Sequence, residues 1–252
     1  AASKLHIPVA HVEAGLRSYD RRMPEEINRV LTDHVSDLLF CPTERAALNL
    51  AEEGIESGVF VTGDVMVDAL YLALPVARKR SFVLDKIGVS AGSYYLATVH
   101  RPSKTDCREN LLSILSAFNR LPYPVVFPVH PRTRKYMSEF AVQRDSFRNI
   151  FFIEPQSYLD MVRLLEGSRL VLTDSGGLQK EAYILQKPCV TLRDTTEWVE
   201  TVEEGWNILA GPQYEEIIRC AEKLDGYSGP HTQYYGDGNA AKRISDVMMS
   251  RC

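Results

Sequence analysis

The chain has 252 residues, 45% of them hydrophobic and 25% charged, a composition of ordinary globular proteins that excludes disorder, collagen and coiled coil. Its net charge of −4 and pI near 5.9, with both signs interspersed, argue against a nucleic-acid partner, because neutralising a phosphate backbone needs a basic stripe. No apolar run reaches the roughly eighteen residues of a membrane span, and the opening "AASKLHIPVA" lacks the basic region and long apolar core of a signal peptide, so a cytoplasmic protein with no membrane partner is expected. The five cysteines (Cys41, Cys107, Cys189, Cys220 and Cys252) are odd in number and widely spaced with no CxxC pair. That pattern disfavours a disulfide framework and a zinc site; no metal is expected.

In chain order, short β-rich apolar runs occur at "LHIPVAHV", "LLFCP", "GVFVTG", "YYLATVH", "PVVFPVH", "IFFIEP", "RLVLTD", "PCVTL" and "NILAG". Amphipathic stretches alternate with them: "PEEINRVLTDHVSDLL", "TERAALNLAEEG", "CRENLLSILSAFNRL", "SYLDMVRLLEGS" and "SGGLQKEAYILQ". The alternation predicts an α/β protein with parallel sheets covered by helices on both faces. A helix-like stretch at 63–80 ends in basic residues, and "SFVLDKIGVSAGS" follows as a polar connector, which sets a domain boundary near residue 82. The expected domains are 1–82 and 83–252, with the last helix, about 239–252, packing back on the first. The second has about six strand candidates, the size of a nucleotide-binding sheet. The first has three and is expected to lack its leading strands.

The stretch "RLVLTDSGGLQKEAYILQKPCV" runs from an apolar strand through Asp174, Ser175, Gly176 and Gly177 into a helix. A strand that stops at Ser-Gly-Gly and opens a helix makes an anion site: first-turn N–H groups point outward and glycines let a phosphate approach. Glu181, in the second turn, suits a ribose hydroxyl. A tight strand-to-helix crossing capped by Ser175 explains the same residues without a ligand. Ligands of open α/β sheets bind at the carboxyl ends of strands. His100-Arg101, His130-Pro131-Arg132, Glu154-Pro155 and Arg193-Asp194 stand at such ends, and two histidines with three arginines suit a diphosphate better than a metal.

Near the start, "HVEAGLRSYDRRMPEEINR" (11–29) concentrates Glu13, Glu25 and Glu26 with Arg17, Arg21, Arg22 and Arg29. Read alone, Glu25 behind Pro24 is an N-terminal helix charge complementing the macrodipole.

Taken together, "HVEAGLRS", "MPEEINR", "GDVMVDAL", "TVHRP", "PVHPRT", "TDSGGLQKEA" and "LRDTTEWVE" resemble the non-hydrolysing UDP-N-acetylglucosamine 2-epimerases in order and over essentially the whole chain. The resemblance implies two Rossmann-like domains of glycosyltransferase-B type, the N-terminal one incomplete, with the active site in the interdomain cleft. It also implies interconversion of UDP-N-acetylglucosamine and UDP-N-acetylmannosamine through 2-acetamidoglucal, with no cofactor, by a homodimer. By resemblance Glu13 and Glu25 are the acid/base carboxylates and His100 is catalytic beside the departing UDP oxygen. Arg29 and Arg193 lie by the phosphates, Ser175, Gly176 and Gly177 hold phosphate, Glu181 takes the ribose, and His130 matches an allosteric position. The family's Gly- and Arg-containing phosphate loop and its "HGDT" motif do not occur, and "HRxEN" is loosened to "HRPSKTDCREN". An epimerase for a modified UDP-sugar, a hydrolysing 2-epimerase and an inactive UDP-binding fragment remain as alternatives.

Overall fold

A computed structural model describes residues 1–21 and 23–251; Arg22 of the charged segment and Cys252 lie outside them. The described residues form two compact units, one within 1–72 and 232–251, the other of 73–231. The division falls ahead of the boundary expected near residue 82. Within the connector that suggested that boundary lies a short helix, Val83–Ile87, whose Val83 and Leu84 are buried in the core of the second unit. No helix among the described residues is long and apolar enough to cross a membrane.

The first unit holds three parallel strands, β1 (Ala10–Val12), β2 (Leu38–Cys41) and β3 (Val59–Val61), in the order β1-β2-β3. The strand expected from "LHIPVAHV" is shorter than its apolar run, because Ala2–Leu5 winds into a 3-10 helix and His6 turns left-handed (φ 55°) before Ala10 pairs with Leu38. Helices Pro24–His34 and Glu44–Glu52 make the crossovers. Thr43 caps the second of these, its hydroxyl accepting the Ala46 N–H at 3.2 Å. The last helix, Ala240–Arg251, begins on the Asp68 carboxylate, which accepts the N–H groups of Ala240 and Ala241 at 3.1 and 2.8 Å. Negative charge at a helix start satisfies orphan donors and complements the macrodipole.

In the second unit, β4 (Tyr95–Thr98), β5 (Val125–Pro128), β6 (Ile150–Ile153), β7 (Leu170–Thr173), β8 (Cys189–Thr191) and β9 (Asn207–Leu209) are all parallel, in the order β6-β5-β4-β7-β8-β9. Counted from β4, this is the doubly wound dinucleotide-binding order 3-2-1-4-5-6. Successive side chains of a strand face opposite ways. Tyr95 and Ala97 accordingly join one apolar core with Leu115, Phe118 and Phe127, while Tyr94 and Leu96 join another with Leu164 and Ala182. Burial on both faces explains the continuous apolar strand runs. Besides short helices of four or five residues, two longer ones escaped the sequence reading. Pro131–Glu139 is mostly polar and buries only Thr133 and Met137, whereas Tyr214–Leu224 buries Ile217, Cys220, Ala221 and Leu224, a spacing that was present to be read.

Candidate functional site

Strand order reverses between β4 and β7, so their following loops leave toward opposite sides and open a crevice where such sheets take ligands. The strands align Thr98 with Thr173, whose hydroxyls are 2.6 Å apart, and the Thr173 hydroxyl also accepts the Ser175 N–H at 2.9 Å. Asp174, fully buried, accepts the N–H groups of His100 and Arg101 on one oxygen at 2.8 and 2.7 Å. The Arg101 side chain returns to donate to the Asp174 carbonyl at 2.9 Å. His100 and Ser175, distant in sequence, are thereby tied across the switch point.

Ser175 caps helix Gly176–Ile184, accepting the Leu178 N–H at 3.4 Å. The first-turn N–H groups at Gly176 and Gly177 have no intrahelical acceptors, as at any helix start, and suit an anion. A Cβ at Gly176 would lie 2.5 Å from Oε1 of Glu197, so that side chain would have to shift. Trp198 donates its indole N–H to the Gly176 carbonyl at 2.7 Å, and Arg193 donates to Glu197 at 2.9 Å. The "RDTTEW" loop therefore grips the start of the helix. Glu181 accepts the Tyr158 hydroxyl at 2.9 Å, and burial pushes its carboxyl above the ordinary range, partly offset by that hydrogen bond.

Sequence reasoning missed what holds the loop in place. Gln179 accepts from Thr196 at 2.7 Å and from Asn207 at 3.3 Å, and Asn207 continues to Thr191 and Thr201. This buried polar group joins helix, loop and two strands.

Of the other strand-end residues, the His130 ring lies 5.3 Å from that of His100, and burial followed by the His100 charge lowers the pKa of His130. Arg132 turns to Asp106, and Arg134 pairs with Glu154 at 2.5 Å. The lengthened segment after His100 forms helix Pro102–Thr105, whose buried Lys104 lies 3.8 Å from Asp194, while Asn110 donates back to the Ser103 carbonyl at 3.0 Å.

In the first unit, β1 ends in a bulge: the N–H groups of Glu13 and Ala14 both reach the Phe40 carbonyl at 3.1 Å. Glu13 adopts φ 74°, a left-handed conformation costly for a side-chain-bearing residue. Gly15 follows at φ 76°, where a Cβ would meet the Ala46 carbonyl oxygen at 2.2 Å. Arg17, 4% exposed, anchors this turn by donating to Asp33 at 2.6 Å and to both oxygens of Glu53 at 2.6 and 2.8 Å. Burial alone would raise the Asp33 carboxyl, but the hydrogen bonds from His11 and Arg17 outweigh it and hold its pKa below the ordinary value. On helix Pro24–His34, Glu25 is exposed and Glu26 is buried, and Arg29 donates to Glu26 at 3.0 Å. Arg17, Glu26 and Asp33 thus emerge as supports for the turn that bears Glu13.

Parallel α/β units of Rossmann-like type, the second a complete doubly wound sheet, define a protein of the glycosyltransferase-B fold class. The family model described as UDP-N-acetylglucosamine 2-epimerase matches residues 1–249. A UDP-N-acetylglucosamine 2-epimerase homolog of Methanococcus maripaludis is 51% identical over 251 residues, covering 98% of this chain and 70% of that protein. A UDP-2,3-diacetamido-2,3-dideoxy-D-glucuronate 2-epimerase of Pseudomonas aeruginosa is 46% identical over 256 residues, again covering 98% and 70%. The crystal structure of Methanocaldococcus jannaschii UDP-GlcNAc 2-epimerase in complex with UDP-GlcNAc and UDP matches with a TM-score of 0.92 at 44% identity, covering 99% of this chain and 71% of that one. The chain belongs to the UDP-N-acetylglucosamine 2-epimerase family.

Proposed function

We propose that the protein interconverts UDP-N-acetylglucosamine and UDP-N-acetylmannosamine by eliminating and re-adding UDP. The observation that carries this reading is Glu13, held left-handed at the end of β1 by the bulge on Phe40 and the buried Arg17 anchor. Strain of this kind persists where the surrounding structure over-determines it, and it clusters at functional sites. The C2 hydrogen of the sugar is unactivated, so its loss is coupled to departure of UDP from C1. The C2–H and C1–O bonds break, a C1–C2 double bond forms, and the proton passes to a carboxylate. Re-addition of UDP to C1 and of a proton to the opposite face of C2 completes the epimerisation. Glu13 and Glu25 serve the two faces as acid and base.

UDP departs as an anion, and stabilising that charge falls to donors arranged beforehand. His100, Arg29 and Arg193 supply cations, Ser175, Gly176 and Gly177 supply the helix N-terminus, and Glu181 takes the ribose hydroxyls. His130, next to His100, is the regulatory candidate. A second reading, an epimerase for a modified UDP-sugar, draws on the 46% identity to the diacetamido-glucuronate enzyme.

Proton NMR of each UDP-sugar with the protein in D2O tests both. Appearance of the C2 epimer with deuterium at C2 supports elimination and re-addition, and the sugar that turns over identifies the substrate. Release of free N-acetylmannosamine would mean a hydrolysing enzyme. UDP binding without turnover of either sugar would sink the catalytic reading.

A further inference from the structure

The two oxygens of the buried Asp174 carboxylate are used unequally. Oδ2 takes the backbone N–H groups of His100 and Arg101. Oδ1 has no hydrogen-bond donor among the described residues and lies 3.2 Å from Nδ1 of His100. Leaving a buried charged acceptor unsatisfied costs on the order of 1–3 kcal/mol or more. The contact is an ion-pair distance without hydrogen-bond alignment, and a small rotation of the His100 imidazole would relieve the oxygen if the ring carries its proton on Nδ1.

We propose that Asp174 is the positioning residue for His100. Through Oδ2 it holds the loop after β4, and through Oδ1 it draws the ring proton to Nδ1, leaving Nε2 for the phosphate oxygen. Which nitrogen of a histidine carries the proton is set by the partner of the other, and a buried aspartate behind a working histidine fixes its tautomer and orientation. Arg101 is directed to the Asp174 carbonyl, Arg132 to Asp106, and Ser175 caps its own helix. The His130 ring, 5.3 Å away, accepts the Arg132 N–H on its own Nδ1 at 3.2 Å, which makes neutral His130 an Nε2–H tautomer. Two neighbouring histidines therefore carry their protons on opposite nitrogens. For His100 this reverses the preference of free histidine, where the Nε2–H form prevails.

The role in turnover rests on the epimerase reading, whereas the tautomer does not. Long-range proton–nitrogen NMR of the 15N-labelled protein above the histidine titration range, with His100→Gln to assign the signals, reads the tautomer with no substrate present. The expected result is a protonated Nδ1 and a bare Nε2 on His100, with His130 as the opposite internal reference. Asp174→Asn keeps an oxygen for the two backbone N–H groups but turns an amide N–H toward Nδ1. It should invert the His100 tautomer and lower kcat on the order of 10²-fold with KM little changed. An Nε2–H His100 in the unaltered protein overturns the proposal even if the variant fails to fold, as does an unchanged tautomer in a folded Asp174→Asn. The expected tautomer with no turnover of any UDP-sugar would instead count against the epimerase reading.

Discussion

Glu26 accepts both the backbone N–H and the hydroxyl of Ser18, at 3.0 and 2.9 Å, and its second oxygen takes the N–H of Tyr19 at 3.0 Å. Its chain neighbour Glu25 is exposed. Adjacent glutamates of one motif thus divide between structure and proposed chemistry. Glu26→Ala, which strands these donors, should cost about 3 kcal/mol in denaturant unfolding. Glu25→Gln should change stability by no more than about 0.5 kcal/mol while abolishing epimerisation. A large stability loss in Glu25→Gln would return that residue to a structural role.

At Glu13 the expected trade runs the other way. Glycine adopts φ 74° without penalty, so Glu13→Gly should leave the protein as stable or up to about 1 kcal/mol more stable. The same change should remove turnover. Destabilisation on melting would mean that the side chain contributes more to the fold than the strain costs.

Asp33 sets the acid limit of the first unit. Its folded pKa lies below the unfolded value, so its contribution is present above the ordinary carboxylate range near 3.8 and is lost as pH falls through the folded value. Arg17→Met leaves Asp33 buried with His11 and the Gly15 N–H as its remaining partners and should cost about 3–5 kcal/mol. Melting temperatures between about pH 2 and 7 should show the variant's deficit largest near neutral pH and shrinking as pH falls, because protonation relieves the carboxylate that has lost Arg17; parallel curves would exclude the coupling.

For Glu181 the sign is opposite. Burial raises its folded pKa, so its contribution is present below 4.5 and is lost as pH rises through the folded value. Glu181→Gln should therefore raise the melting temperature at neutral pH, with the gain shrinking toward pH 4. It should weaken UDP roughly tenfold if a ribose hydrogen bond is lost. Calorimetry on the same samples reads both effects, and unchanged UDP affinity would remove the ribose assignment.

Gly176→Ala drives a methyl to 2.5 Å from Oε1 of Glu197, which Arg193 restrains. Overpacking of this kind costs about 1–3 kcal/mol. Adding Glu197→Ala opens the space, so the double variant should be more stable than the two separate losses predict. A double-mutant cycle measures the coupling; simple additivity would show that Glu197 moves aside freely.

The alternation of apolar runs and amphipathic stretches was legible along the chain, because strand and helix periods are local properties of the side-chain pattern. So was the strand-to-helix turn at Asp174-Ser175-Gly176-Gly177, since it carries its own cap in Ser175. Pro131–Glu139 and the buried Val83 and Leu84 show where local patterning falls short: the helix has too narrow an apolar face, and a short polar-looking stretch conceals two core residues. Three relationships arise only once strands are ordered and faces assigned: which glutamate of the pair meets Ser18, which carboxylate anchors Arg17, and that Asp174 stands behind His100 across 74 residues of chain. Sequence determined which groups were available and the local elements that bear them. Tertiary structure decided which are buried and paired, because a charge removed from water must find its partner wherever the fold brings one, and that partner is seldom a neighbour along the chain.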